Sequence, residues 1–395
     1  MRTLLPLLLG VLFFTGCTQF SAVKDLATSV EGLISGTDNA EPPKELEPLE
    51  PTVAMNILWK TSVGKGYDGR VVNLVPAVTS SAVYVADRRG LLEAHSRQDG
   101  DRLWGHETGL EISAGPVVAG DKLLMGTSNA EIIAVSIVDG ALLWKASLTS
   151  EMLALPRVAH NVVVVRTSDG RLVGLDLQHG GLKWSHERSI PPLSVRSQGS
   201  PTIVGDLVLD GFGGGKLIAL SLQDGRVVWE TTAATPRGRS EVERLVELDA
   251  DPLVEDETIF ITGFQAGITA VNLPDGEILW RQNGAYSSHG MAPGPHAFFL
   301  SDTNSDVARF DSANGVEKWK QTALHQRRLT VPAMVRSFVV VGDFEGYLHA
   351  LSADDGRLVG RLEVDDEPIL ATPVYHDNTL FIYSSSGVLA AIGIN

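Results

Sequence analysis

Apolar residues along most of this chain come in short runs broken by turn residues, and the breaks recur at a fixed interval. In the unit that begins at Pro116, the segments Pro116-Val117-Val118, Lys122 to Gly126, Glu131 to Ile137 and Leu142 to Ala146 read as four short strands. The unit repeats. Trp59, Trp104, Trp144, Trp184, Trp229, Trp280 and Trp319 share one frame. Six of them follow, by four residues, the turn glycines Gly100, Gly140, Gly180, Gly225, Gly276 and Gly315. Asp or Asn before most of these glycines is hairpin chemistry, because glycine takes the positive φ that such turns demand. Pro76, Pro116, Pro156, Pro201, Pro252, Pro293, Pro332 and Pro373 each open a strand-like segment. The interval from proline to the tryptophan position is 28 residues in six repeats and 26 in the one from Pro293. Gly360 stands where the repeat from Pro332 should carry tryptophan.

Four strands per unit and eight units predict an all-β fold, an eight-bladed β-propeller of four-stranded antiparallel blades over residues 52–395. The last unit holds only three strands, ending in Gly387 to Ile394, so Asn56 to Val63 is expected to supply the fourth. Pairing of the N- and C-terminal strands then closes the ring and removes its exposed edges. The seven tryptophans are expected as inter-blade core, each contributing roughly 2 to 3 kcal/mol by burial. Between blades, the tryptophan-to-proline interval is 12 or 13 residues in most cases. It rises to 17 from Trp59 to Pro76, 17 from Trp184 to Pro201 and 23 from Trp229 to Pro252. The last two lie on adjacent blades, where binding loops are expected.

Ahead of the repeats, Arg2 precedes an apolar run from Leu4 to Phe14 that is too short to span a bilayer as a mature helix. A short basic region, an apolar segment and small residues before a cysteine make residues 1–16 a secretory signal. Phe14-Thr15-Gly16-Cys17 is similar to a bacterial lipobox, which implies lipidation of Cys17. With Thr18 next, the bacterial sorting pattern implies the outer membrane, periplasmic face. Residues 17–51, acidic and proline-rich from Asp38 to Pro48, read as a flexible tether. The net charge of −16 disfavours a general nucleic-acid binder. The small basic clusters Arg237-Gly238-Arg239 and Gln326-Arg327-Arg328 are expected to meet acidic protein loops rather than nucleic acid.

Tryptophan four residues after the turn glycine resembles the repeats of quinoprotein dehydrogenases. Together with the lipobox, the segments Val340 to His349 and Val83 to Leu91 resemble the BamB-like lipoproteins of the outer-membrane β-barrel assembly machinery. That resemblance covers about residues 55 to 395. It implies a non-enzymatic scaffold that binds the POTRA domains of BamA, the central barrel component, and aids insertion of outer-membrane proteins, with unfolded clients as further candidate partners. The family's contact loops correspond to Leu193, Val195 and Arg196 and to Glu247 and Asp249. Leu193 and Val195 would form an apolar centre, with Arg196, Glu247 and Asp249 as charged groups facing the partner.

There is no G-x-S-x-G elbow, no H-x-x-x-H spacing, and no cysteine beyond Cys17 to complete a zinc set. Gly211-Phe212-Gly213-Gly214-Gly215 resembles a phosphate loop only in composition, since strand residues follow it, and it reads as an inter-strand turn. A general protein-interaction propeller outside the barrel machinery and a periplasmic quinone-dependent dehydrogenase are the competing readings. Such enzymes typically carry a vicinal cysteine pair and acidic calcium ligands, and neither can be assigned here. No cofactor and no metal are expected.

Overall fold

Each sequence repeat forms one antiparallel sheet in the computed structural model, which describes residues 41–188, 198–240, 242–284, 287 and 290–395. The chain divides into units 1–42 and 43–395, and the second is the propeller. Blades 1 to 7 begin in chain order at Ala77, Ile112, Arg157, Thr202, Leu253, Ala292 and Ala333, and blade 8 at Val374. Within blades 1 to 7 the four strands of each blade pair in sequence order, and in blade 8 Met55–Ser62 supplies the outer strand. The second strands, such as Ala82–Ala86 and Lys122–Thr127, are buried along their whole length because a neighbouring blade covers each face. The outer strands, such as Leu182–Glu187, alternate between exposed and buried positions, as expected where only one face is covered. The apolar core accordingly lies between blades. One cluster joins Leu209, Leu217 and Ala219 of blade 4 to Ile259, Ile261 and Val271 of blade 5.

Ring closure follows the expected route. Met55–Ser62 pairs antiparallel with Val388–Ile394, from Met55 opposite Ile394 to Ser62 opposite Val388. The long connection after Trp59 is absorbed by this closure. Val63 N–H donates to the Gly387 carbonyl at 2.7 Å and Tyr67 N–H to that of Ser385 at 2.9 Å. Asn73–Leu74 then adds a parallel strand beside blade 2.

The tryptophans link successive blades by one repeated device. A Cβ on Gly100 would lie 2.6 Å from the Trp59 ring, and one on Gly225 would lie 2.7 Å from that of Trp184. Each indole therefore rests on the turn glycine of the following blade, where only a residue without Cβ and tolerant of positive φ fits. The indole N–H completes the contact by donating to the carbonyl three residues before that glycine. Trp59 donates to Arg97 (3.0 Å), Trp144 to Leu177 (2.9 Å), Trp184 to Leu222 (2.8 Å), Trp229 to Leu273 (2.9 Å), Trp280 to Ser312 (3.3 Å) and Trp319 to Ala353 (3.0 Å). Gly140 meets Trp104 and His106 together. Gly360 lacks a tryptophan because blade 8 has no such hairpin turn: its outer strand comes from the other end of the chain. Val53 and Met55 occupy that place, and the Thr52 and Val53 N–H groups both donate to the Val359 carbonyl.

One sequence expectation changes in detail. Pro116 lies inside the strand Ile112–Ala119 rather than opening it, and the pairing register skips between Ala114 and Val117. A residue without an N–H cannot continue the ladder, so the strand is irregular there. Ahead of the first blade strand, the Lys44 and Glu47 carbonyls accept from Arg327 and Arg361 beside blades 6 and 7.

Candidate functional site

The two long connections of interest join blade 3 to blade 4 and blade 4 to blade 5. Of the first, Leu193, Val195 and Arg196 lie outside the described residues, but both of its ends are fixed. At one end the Arg188 guanidinium forks onto Glu230 of blade 4 at 2.8 and 3.2 Å, and this pairing holds the Glu230 carboxyl down to about 2. The same guanidinium lies 5.6 Å from the Phe212 ring centroid, and that of Arg166 lies 5.4 Å from it. At the other end Ser200 N–H donates to Asp251 Oδ1 at 2.6 Å, and Asp251 Oδ2 accepts from Arg157 at 2.6 Å.

The second connection passes between blades. Glu247 makes antiparallel bridges to Gly213 of blade 4 and to Phe264 of blade 5. The backbone of residues 247–249 runs so close over Gly199, Gly211 and Gly263 that a Cβ on any of the three would collide with it. Glycine at these positions creates the slot that the segment fills. Glu247 and Asp249 are consequently buried, 5% and 3% exposed, and Asp249 Oδ1 accepts the Phe264 N–H at 3.0 Å. Burial pushes the Asp249 carboxyl up to about 7. Both carboxylates, expected to face a partner as acceptors, are covered by the chain's own blades, and the Asp249 side chain holds the loop to blade 5. The accessible part of the connection is 235–240 and 242–245, where Arg237, Arg239 and Val242 are exposed.

Sequence reasoning missed Asp210. It is fully buried on blade 4, and Arg166 reaches its Oδ1 at 3.1 Å, while Oδ2 has no hydrogen-bond partner among the described residues. Burial raises its carboxyl to about 7, against the opposing pull of Arg166. An Asp inside an apolar strand, Leu207–Phe212, was the available signal. The basic clusters divide. Arg328 is exposed, whereas Arg327 is buried among acidic groups of its own chain. The glycine-rich segment from Gly211 is a turn between the strands Leu207–Phe212 and Lys216–Ser221, with Gly214 and Gly215 at positive φ.

A cavity of about 830 Å³ opens at the inner strands, lined among others by Asn73, Arg157, Asp251, Arg328 and Thr372. In a quinoprotein enzyme such a channel would hold a quinone and calcium. These residues do not fit that group: Asp251 is engaged by Arg157 and Ser200, and no cluster of His, Cys, Asp and Glu able to hold a metal occurs among the described residues.

Fold and site thus define an eight-bladed propeller of the quinoprotein-repeat type whose long loops gather at adjacent blades. The chain belongs to the BamB family: the family model described as outer membrane protein assembly factor BamB matches residues 88–321 and 303–395. A relative of that description from Legionella pneumophila is 41% identical over 369 residues, covering 93% of this chain and 96% of the relative. The crystal structure of BamB from Moraxella catarrhalis matches with a TM-score of 0.77 at 22% identity, over 86% of this chain and 100% of that one. The quinohemoprotein alcohol dehydrogenase of Comamonas testosteroni shares the fold alone. Its TM-score is 0.70 at 12% identity, over 86% of this chain and 76% of the enzyme.

Proposed function

We propose that this chain is a non-enzymatic outer-membrane protein assembly factor, lipid-anchored at Cys17 on the periplasmic face, that binds the POTRA domains of BamA. Family membership supports the assembly role. The observation that carries the binding site is the convergence of two long connections on blade 4. Gly199 and Ser200 at the end of one press against Asp249 and Asp251 of the other, so the two connections meet there. Leu193 and Val195 supply the apolar centre, Arg196 the directional charge, and Glu247 and Asp249 position the neighbouring loop from beneath.

The test is association with BamA in solubilised membranes, measured beside thermal unfolding. Leu193→Ala and Arg196→Ala should weaken capture at unchanged melting temperature, and the Arg196 effect should shrink in high salt. Asp249→Ala should lower the melting temperature as well, because it strips the Phe264 N–H of its acceptor. Undiminished BamA capture by folded Leu193→Ala and Arg196→Ala proteins would remove the site.

A further inference from the structure

Residues 43–51 have the composition of a tether and the contacts of a bound ligand. Only Leu46 and Leu49 in this stretch are half-buried, and the others are exposed. A three-residue burial period is that of the extended polyproline helix, which Pro43, Pro48 and Pro51 favour before any docking occurs. Leu46 packs on the apolar cluster of blades 6 and 7 that includes Phe299, Leu324, Leu329 and Val341. The backbone is read beside it. Lys44 N–H donates to the His325 carbonyl at 3.0 Å, the Lys44 carbonyl accepts from Arg327 Nη1 at 3.1 Å, and the Glu47 carbonyl accepts from Arg361 Nη1 at 2.9 Å. In a polyproline helix, with its rise of about 3.1 Å per residue, those two carbonyls would stand about 9 Å apart.

The receiving side is built around buried charge. Arg327 is 2% exposed, its Nε donates to Asp343 Oδ2 at 2.8 Å, its Nη2 pairs with Asp343 and Glu345, and its plane lies 5.0 Å from the Phe344 ring centroid. Asp343 in turn accepts from the fully buried His349, toward which Arg361 also points. Nη1 of this buried guanidinium is spent on the Lys44 carbonyl. An undocked segment would cost Arg327 that bond while the rest of its network stayed in place.

We propose that the face of blades 6 and 7 formed by Arg327, Arg361 and the Leu46 pocket is a binding site for an extended, proline-flanked peptide, and that residues 43–51 occupy it as a strap. Recognition runs through carbonyls and one leucine, so it reads backbone shape more than side-chain charge. Docking fixes residues 43–51 on blades 6 and 7. On the reading that Cys17 carries the anchor, it also withdraws nine residues, about 30 Å of extended reach, from the tether.

Trypsin reports on the strap directly, since Lys44–Glu45 is a cleavable bond within it. In the full chain this bond should be cut at least about tenfold more slowly than in a free peptide of residues 38–51. Arg361→Ala and Leu46→Ser should each bring the rate close to that of the peptide with little change in melting temperature, and Arg361→Lys should recover part of the protection. The same result is expected in a Cys17→Ala background, which separates the strap from the question of lipidation. Cleavage of the wild-type chain at the peptide's rate, or protection unaffected by both Arg361→Ala and Leu46→Ser, would overturn the proposal.

Discussion

If the blades are joined by indoles resting on turn glycines, a tryptophan and the glycine beneath it must be energetically coupled. The pair Trp184 and Gly225 tests this. Trp184 is 6% exposed and donates to the Leu222 carbonyl, so Trp184→Ala should cost about 3 to 5 kcal/mol through lost burial, cavity and hydrogen bond. Gly225→Ala carries two penalties: a non-glycine residue at φ +69, about 1 to 2 kcal/mol, and a Cβ 2.7 Å from the ring, about 1 to 3 kcal/mol. In the double variant the ring is gone and only the first penalty of the glycine change remains. The two substitutions should therefore fall short of additivity by about 1 to 3 kcal/mol. Equilibrium denaturation followed by far-ultraviolet circular dichroism measures all four corners of the cycle. Additivity within about 0.5 kcal/mol, the behaviour of independent sites, would refute the contact as the joint between blades.

Closure makes a second prediction: deleting residues 18–42 should leave the melting temperature unchanged, whereas deletion through Val63 removes the outer strand of blade 8 and should abolish cooperative unfolding. Cys17→Ala should yield a protein released from membranes or retained with an uncut signal, with the circular dichroism of a folded propeller; a processed variant as membrane-bound as wild type would refute lipidation there. Asp210 predicts a pH dependence. Its folded value of about 7 lies above the unfolded 3.8, so its stabilising proton is fully held below about pH 4 and lost as pH rises through 7. Relative to Asp210→Asn, the wild type should lose about 2 kcal/mol between pH 5 and pH 8, and a pH-independent difference would refute the burial argument.

The propeller was legible because its information is local and repeated. A glycine, a tryptophan four residues on and a proline 26 or 28 residues before it recur in six units, and Gly360 even marked the blade whose successor lacks the usual turn. What fills the space beside Gly360 was not legible, since Val53 and Met55 arrive there from the opposite end of the chain. The strap escaped for the same reason: acidic, proline-rich composition describes how a segment behaves alone, and its docking depends on Arg327 and Arg361, almost the whole chain away.

Loop length was the weakest signal, and the three long connections show why. Extra residues after Trp59 close the ring, and those at 246–249 fill a slot between blades 4 and 5 that three glycines from separate segments create. A long connection can thus be consumed by packing before any of it reaches solvent. Glu247 and Asp249 belong to the consumed part, where a carboxylate raised to about 7 is poorly suited to exchange charge with a partner. What remains for recognition between blades 4 and 5 is the accessible stretch 235–240 and 242–245, with Arg237, Arg239 and Val242. Charge reversal at Arg237 and Arg239 should accordingly change BamA association more than Glu247→Gln does at matched stability, and equal or opposite effects would return the recognition role to the buried carboxylates.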